Sequence, residues 1–392
     1  MPSGFLLLPK AGDNSFPRLR RKVRLLALRR LLSAPLDGLR APLMALAQRR
    51  SAMLMDAVGS PDVLCALLVL ERGLRPAAEI LPTLVPDLLA ALVPAQLTEA
   101  LLWNHPIHTV HAPRLGMAIT FSPPARAMLV DPAGVSFALH DGQKWSPDQP
   151  PPEGVHCQTD YHRLHPDLPR LHLATRDANP LAMDEAHPDK SGNAIALGDR
   201  SVAEWQAGLG EALALIEVGL PAWWQELSLS LERLLPVGFE PELHLSASYQ
   251  EAPNMAYLTL HPNPLTLAEA IIHETQHGRL NTLMWLDPVL KNGHSAWTQS
   301  PVRPDMRPLS GVLLAAHAFV PVSALHTQLL HRQHPITQRP DFLQRRAAVW
   351  QSNDKAMQTL SSMAEPTPAG SRLLNDLHRL HQATMFHVEH QP

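Results

Sequence analysis

Pro264-Leu-Thr-Leu-Ala-Glu-Ala-Ile-Ile-His273-Glu274-Thr-Gln-His277 is the stretch on which the reading of this chain turns. Its last five residues read HExxH, set in an apolar run of Ala268, Ala270, Ile271 and Ile272 that resumes at Leu280 and Leu283. Such a run suits a buried helix, and Thr266 followed three residues later by Glu269 forms a capping box that predicts a start near Leu267. Four residues of helix advance about 6 Å and turn a little more than a full circle, which aims His273 and His277 at one point. Glu274 lies about 100° further round, placed to meet a water or oxygen on a metal rather than the metal itself. The competing reading is a pair of core histidines whose ring nitrogens find ordinary partners.

With 392 residues the chain can bury one large core or two to three smaller ones. Apolar residues make up 45% and charged residues 18%, and no apolar run approaches the roughly 18 residues of a membrane span, so no membrane partner is expected. Phe5-Leu-Leu-Leu8 has no basic segment before it and does not read as a secretory signal. Cys65 and Cys157 are too few for a disulfide framework or a thiolate metal cluster, and the expected location is the cytoplasm. Residues 1–50 carry eleven Lys or Arg against Asp13 and Asp37, a local +9 that leaves −12 for the remainder. That stretch suits a dock for the chain's own acidic surface, or for an acidic peptide. Without aromatic interleaving or a recognisable module, it does not point to nucleic acid.

The fold class expected is α+β, mainly helical, with a small antiparallel sheet whose edge lies beside a zincin-like HExxH metal helix. Three regions follow. Residues 1–105 read as leucine-rich helices broken by prolines, a possible peptide-binding part. Residues 106–175 hold short β-like runs at 117–122, 127–130 and 135–140, then a proline-rich loop from Asp141 to Pro169. Residues 176–392 are the catalytic region: helix from Asp199 to Leu235, strands at 243–248 and 256–260, the HExxH helix, and C-terminal helices. Strands directly before the metal helix leave a sheet edge where an extended peptide can pair. His105, His108 and His111 are spaced for a helix that Pro106 and Pro113 forbid, so they read as loop histidines, and His378, His381, His387 and His390 as a surface tail.

Two imidazoles and one further ligand leave open positions on a metal, the mark of a catalytic site. For the third ligand His317 is the leading candidate, on a helix read from Val312 to Leu330, with His294 and Asp305 behind it. Pro321 removes the amide that would bond to the His317 carbonyl, so a kink or unwound turn is expected there. With zinc, Glu274 is a general base and the protein a peptidase. Yet the position of a further metzincin His is Leu283, and no Glu occurs between Glu274 and Glu365. With iron(II), three ligands leave room for a 2-oxo acid and dioxygen. The distal carboxylate of such an acid calls for a fixed arginine, and Arg303 and Arg307 lie on a proline-stiffened loop between the motif and His317.

His273-Glu274-Thr-Gln-His277, Arg279-Leu280-Asn-Thr-Leu283, Asp287-Pro288 and Ser300-Pro-Val-Arg303-Pro-Asp305-Met-Arg307-Pro308-Leu-Ser-Gly311, with the helix bearing His317, resemble the HExxH-type 2-oxoglutarate-dependent peptide β-hydroxylases. That family modifies ribosomally made peptides, and the resemblance covers about residues 240–330. It implies iron(II), 2-oxoglutarate, dioxygen and hydroxylation of a β-carbon in a precursor peptide. It further implies that His273, His277 and His317 hold iron, that Glu274 hydrogen-bonds a metal ligand, and that Arg303 or Arg307 clamps the co-substrate. The chain departs from the family pattern at Ala315-Ala-His317-Ala-Phe319, where the aromatic and His positions are interchanged. A zinc metallopeptidase and a non-catalytic peptide-binding protein are the alternatives.

Overall fold

A computed structural model describes residues 4–9, 12–184, 186–187, 190–300 and 305–385. Five helices open the chain: α1 (Ser15–Ser33), α2 (Arg40–Arg49), α3 (Ser51–Val58), α4 (Pro61–Glu71) and α5 (Ala77–Ala91). Pro61 starts α4 at a position whose N–H would have no helical partner, which is where proline fits. Gly59, between α3 and α4, leaves room for the guanidinium of Arg24, which lies 2.0 Å from where a Cβ on Gly59 would stand.

Seven strands follow: β1 (Leu101–Trp103), β2 (Ile107–Ala112), β3 (Met117–Ala125), β4 (Ala127–Asp131), β5 (Gly134–Ala138), β6 (Lys144–Trp145) and β7 (Val155–Thr159). They form two antiparallel sheets, in the orders β1-β4-β5-β6 and β2-β3-β7. The turn at Asp131-Pro-Ala-Gly134 forms as its residues dictate, with Asp131 Oδ1 accepting from the amides of Ala133 and Gly134. The proline-rich stretch expected as loop contains β6 and β7. Most of β7 is exposed, so it shows none of the apolar alternation that marks a strand in sequence. His111 is a correction of another kind: it is buried in β2, and its backbone N and its Nδ1 both reach the buried Asp87 of α5, at 2.7 and 2.9 Å.

The layer that carries the HExxH helix is built on a five-stranded sheet. Its members are β8 (Tyr161–Arg163), β9 (His172–Ala174), β12 (Arg233–Phe239), β13 (Ser246–Ala247) and β14 (Met255–Leu260), in the order β13-β14-β12-β9-β8. Between β9 and β12 come the short β10 (Ala186–His187) and β11 (Lys190–Ser191), then α6 (Val202–Gly219) and α7 (Pro221–Ser230). The central pairings β9-β12 and β12-β14 are parallel and the outer two antiparallel, so the sheet is mixed. β12 also shortens the helix expected to run to Leu235. After the sheet come α8 (Pro264–Met284), β15 (Trp297–Gln299), β16 (Met306–Pro308), α9 (Leu309–His331), α10 (Phe342–Met363) and α11 (Pro368–Ala383). Helix predominates over strand, as the α+β expectation required.

α8 carries the HExxH motif and is apolar nearly all round because α6, α9 and β14 cover it. Its start differs from expectation: Asn263 is the cap, its side chain accepting from the Leu265 amide at 3.1 Å, with Pro264 in the first turn. Glu269 is not a capping residue. α9 runs through Pro321 without a break, and the His317 carbonyl freed by that proline accepts from Gln276 Nε2 of α8 at 3.4 Å. Among the described residues α9 is the single helix long and apolar enough to cross a membrane, and most of it is buried inside the protein.

Candidate metal centre

One turn of α8 brings His273 and His277 together, ring centroids 4.3 Å apart and planes at 77°. Both line a cavity of about 710 Å³ walled by α8, the start of α9 and the edge strand β13. Glu274 faces the same space: its Oε1 accepts from Ser246 Oγ of β13 at 2.6 Å and stands 3.9 Å from His273 Nε2. Glu274 Oε2 is buried without a hydrogen-bond partner, and so is Nδ1 of His277. Burial holds the His277 imidazole below its ordinary pKa, which keeps it neutral and able to donate a lone pair to a metal.

Helix α9 contributes something other than expected. Its cavity-facing residues are Gly311, Leu314, Ala315 and Phe319, and the Phe319 ring packs on His273 with centroids 4.5 Å apart. His317 points into the core instead and is fully buried. Two residues along a helix is about 200° of rotation, so His317 and Phe319 cannot face the same way. Neither ring nitrogen of His317 makes a hydrogen bond, and burial, with the Arg279 guanidinium close by, pushes its pKa down to about 3. As third ligand, His317 is therefore out of place, and the interchange of aromatic and His positions seen in the sequence is the reason. Among the described residues no three His, Cys, Asp or Glu side chains converge on one point.

Of the two arginines, Arg307 lines the cavity, half exposed, with its Nε donating to Asp305 Oδ2 at 3.1 Å. Arg303 lies outside the described residues. Asp305 is engaged with Arg307, and His294 is exposed away from the cavity lining.

Sequence reasoning missed three groups at the cavity wall. His244, just before β13, bonds Thr259 Oγ1 through Nδ1 at 3.2 Å and leaves its buried Nε2 without a partner. Burial, with His261 nearby, pushes its pKa down to about 4. Glu269 and Arg345 form a pair, Arg345 Nε donating to Glu269 Oε2 at 2.9 Å, while buried His326 meets Glu269 Oε1 at 2.8 Å. Burial alone would raise the Glu269 carboxyl, but His326 and Arg345 outweigh it and hold the pKa down. Glu269 stands one turn before His273 on the same face, a signal present in the sequence.

The donor set suits a metal in part. Two imidazoles share one face, and buried polar atoms of His277 and Glu274 have no partner within the protein. Further ligands would come from co-substrate or solvent. No family model matches the chain, and no curated protein matches it.

Proposed function

We propose that this protein is an iron(II)- and 2-oxoglutarate-dependent dioxygenase that hydroxylates the β-carbon of a residue in a ribosomally made precursor peptide, in the cytoplasm. The observation that carries the proposal is the pairing of His273 and His277 on the wall of a large cavity that Arg307 also lines. The balanced reaction turns the peptide C–H bond, 2-oxoglutarate and dioxygen into peptide C–OH, succinate and carbon dioxide. His273 and His277 would hold iron(II), which would supply the redox chemistry that couples decarboxylation of the 2-oxo acid to oxygen transfer.

The chain's own residues bind and orient. Arg307 offers a planar fork to the distal carboxylate of the co-substrate, with Asp305 holding its Nε. Ser246 fixes Oε1 of Glu274, the oxygen that stands 3.9 Å from His273 Nε2, and so holds the carboxylate beside that imidazole. Phe319 walls His273 and excludes water from that side. β13 is the outermost strand of its sheet and lines the cavity through Ser246, so an extended peptide can pair with it and pass across the imidazoles.

A zinc peptidase is the second reading, favoured by Glu274: a buried carboxylate oxygen without a partner, one residue from a candidate ligand, is placed as a general base is. One experiment separates the readings. The purified protein is incubated with iron(II), 2-oxoglutarate and the short peptide encoded beside its gene, or with that peptide and zinc. Peptide-dependent succinate, with one oxygen added to the peptide mass and loss of both in His273→Ala, is the expected result. Cleavage with zinc alone supports the peptidase, and an intact, unmodified peptide that still binds supports a non-catalytic binding protein; either overturns the hydroxylase.

A further inference from the structure

Away from the metal helix, a second cavity of about 380 Å³ lies where α3, α4 and the segment before β9 meet. Five arginines and three carboxylates are paired around it. Glu232, nearly fully buried, takes Arg20 at 3.0 Å, Arg170 at 2.9 Å and Arg24 at 3.9 Å. Asp56 takes Arg170 at 2.5 Å and Arg114 at 3.2 Å, and Asp62 takes Arg233 at 3.4 Å. Two positive charges are left over in the cluster. The crowding is felt by its members: burial and the neighbouring Arg24 bring Arg20 down to about 10.

The excess faces the cavity. Arg114, Arg170 and Arg233 line it, and Arg233 is only 3% exposed. The Nε of Arg233 and that of Arg24 are buried with no acceptor. The wall also includes Ser60 and Pro61, the start of the eleven-residue α4, where the Ser60 side chain makes no capping hydrogen bond. Helix N–H groups and arginine forks both call for oxyanions. His172, at the same wall, is held neutral: burial and then Arg233 push its pKa down to about 4.

We propose that this cavity is a binding site for a small phosphoryl dianion, inorganic phosphate or a phosphate monoester. A dianion cancels the two surplus charges. Its tetrahedral oxygens accept from several directions at once, matching the Ser60 hydroxyl and guanidiniums that arrive from β12 and two separate loops, whereas a planar carboxylate is filled by one fork. Asp56 and Glu232 hold the guanidiniums in place and set the limit on how much negative charge the cavity takes.

The test is calorimetric titration of the full-length protein with inorganic phosphate at pH 8, at ionic strength matched with chloride. Saturable binding at one site per chain is expected, weakened at least tenfold in Arg114→Gln. Ser60→Asp provides the second variant: aspartate is at least as good a helix cap as serine, so the fold is kept, while its charge repels the ligand. No saturable heat, binding that both variants leave unchanged, or succinate binding as tightly as phosphate would each overturn the assignment.

Discussion

Replacing His317 by leucine separates a metal ligand from a packed histidine. The imidazole is fully buried, its polar surroundings are the guanidinium of Arg279, the His277 imidazole and the backbone of Gln276 and Leu6, and neither nitrogen is hydrogen-bonded. Removing unsatisfied buried polar atoms returns about 1–3 kcal/mol. The imperfect fit of leucine costs up to about 1.5 kcal/mol, so metal-free His317→Leu should lie between about 0.5 kcal/mol less and about 3 kcal/mol more stable in urea denaturation. Metal affinity, measured by competition with a chelating dye, should change less than threefold. A pH series adds a second reading. The folded pKa of about 3 lies below the ordinary 6.5, so the unfolded chain binds the proton first; the stability due to neutral His317 is complete above pH 6.5 and is lost as pH falls toward 3. Wild type should therefore lose about 1.4 kcal/mol per pH unit more than His317→Leu between pH 6 and 4. A fall in metal affinity of more than tenfold, or identical slopes in the two proteins, would refute the placement of His317 in the core.

Gly278→Ala should destabilise by about 2 kcal/mol in the same assay, since the new methyl would stand 2.0 Å from the Pro253 carbonyl, a backbone atom that no rotamer can move aside. Gain of stability, as helix propensity alone would give, contradicts that packing. Glu269→Ala leaves buried His326 without its partner, while half-exposed Arg345 turns to solvent, and should cost about 1–3 kcal/mol, read by denaturation; a gain of stability means the trio is not formed.

What the sequence makes legible is what depends on near neighbours. HExxH in an apolar run specifies a buried helix with two imidazoles on one face, and the turn at 131–134 forms from its own Asp and Gly. What it hides depends on partners far along the chain. Glu269 has the spacing of a capping residue, but its actual partners lie 57 and 76 residues away. β12 is an apolar run that fits helix or strand equally, and only the flanking β9 and β14 decide the matter. His317 and Phe319 lie on opposite faces of one helix, and the choice of face is set by the rotation of α9 against α8. Gln276 helps set that rotation by taking the carbonyl that Pro321 frees.

The basic N-terminal stretch shows how the same charge reads differently once it is packed. Arg20 and Arg24 turn to Glu232, Arg30 to the Leu70 carbonyl, Arg40 to the Ala34 carbonyl and Arg49 to Glu99. Five of the eleven cations of that stretch are thus engaged within the chain, and an acidic peptide would have to displace these acceptors to bind to them. The segment before α1 is fastened to α8 as well, since the Leu6 carbonyl accepts from both Gln276 Nε2 and Arg279 Nε at 3.2 Å. Gln276 lies between the two motif histidines in sequence, about 60° and 100° round the helix from them and outside the cavity lining. The N-terminal segment therefore braces a flank of the helix that carries the imidazoles, which ties the placement of His273 and His277 to residues more than 260 positions earlier.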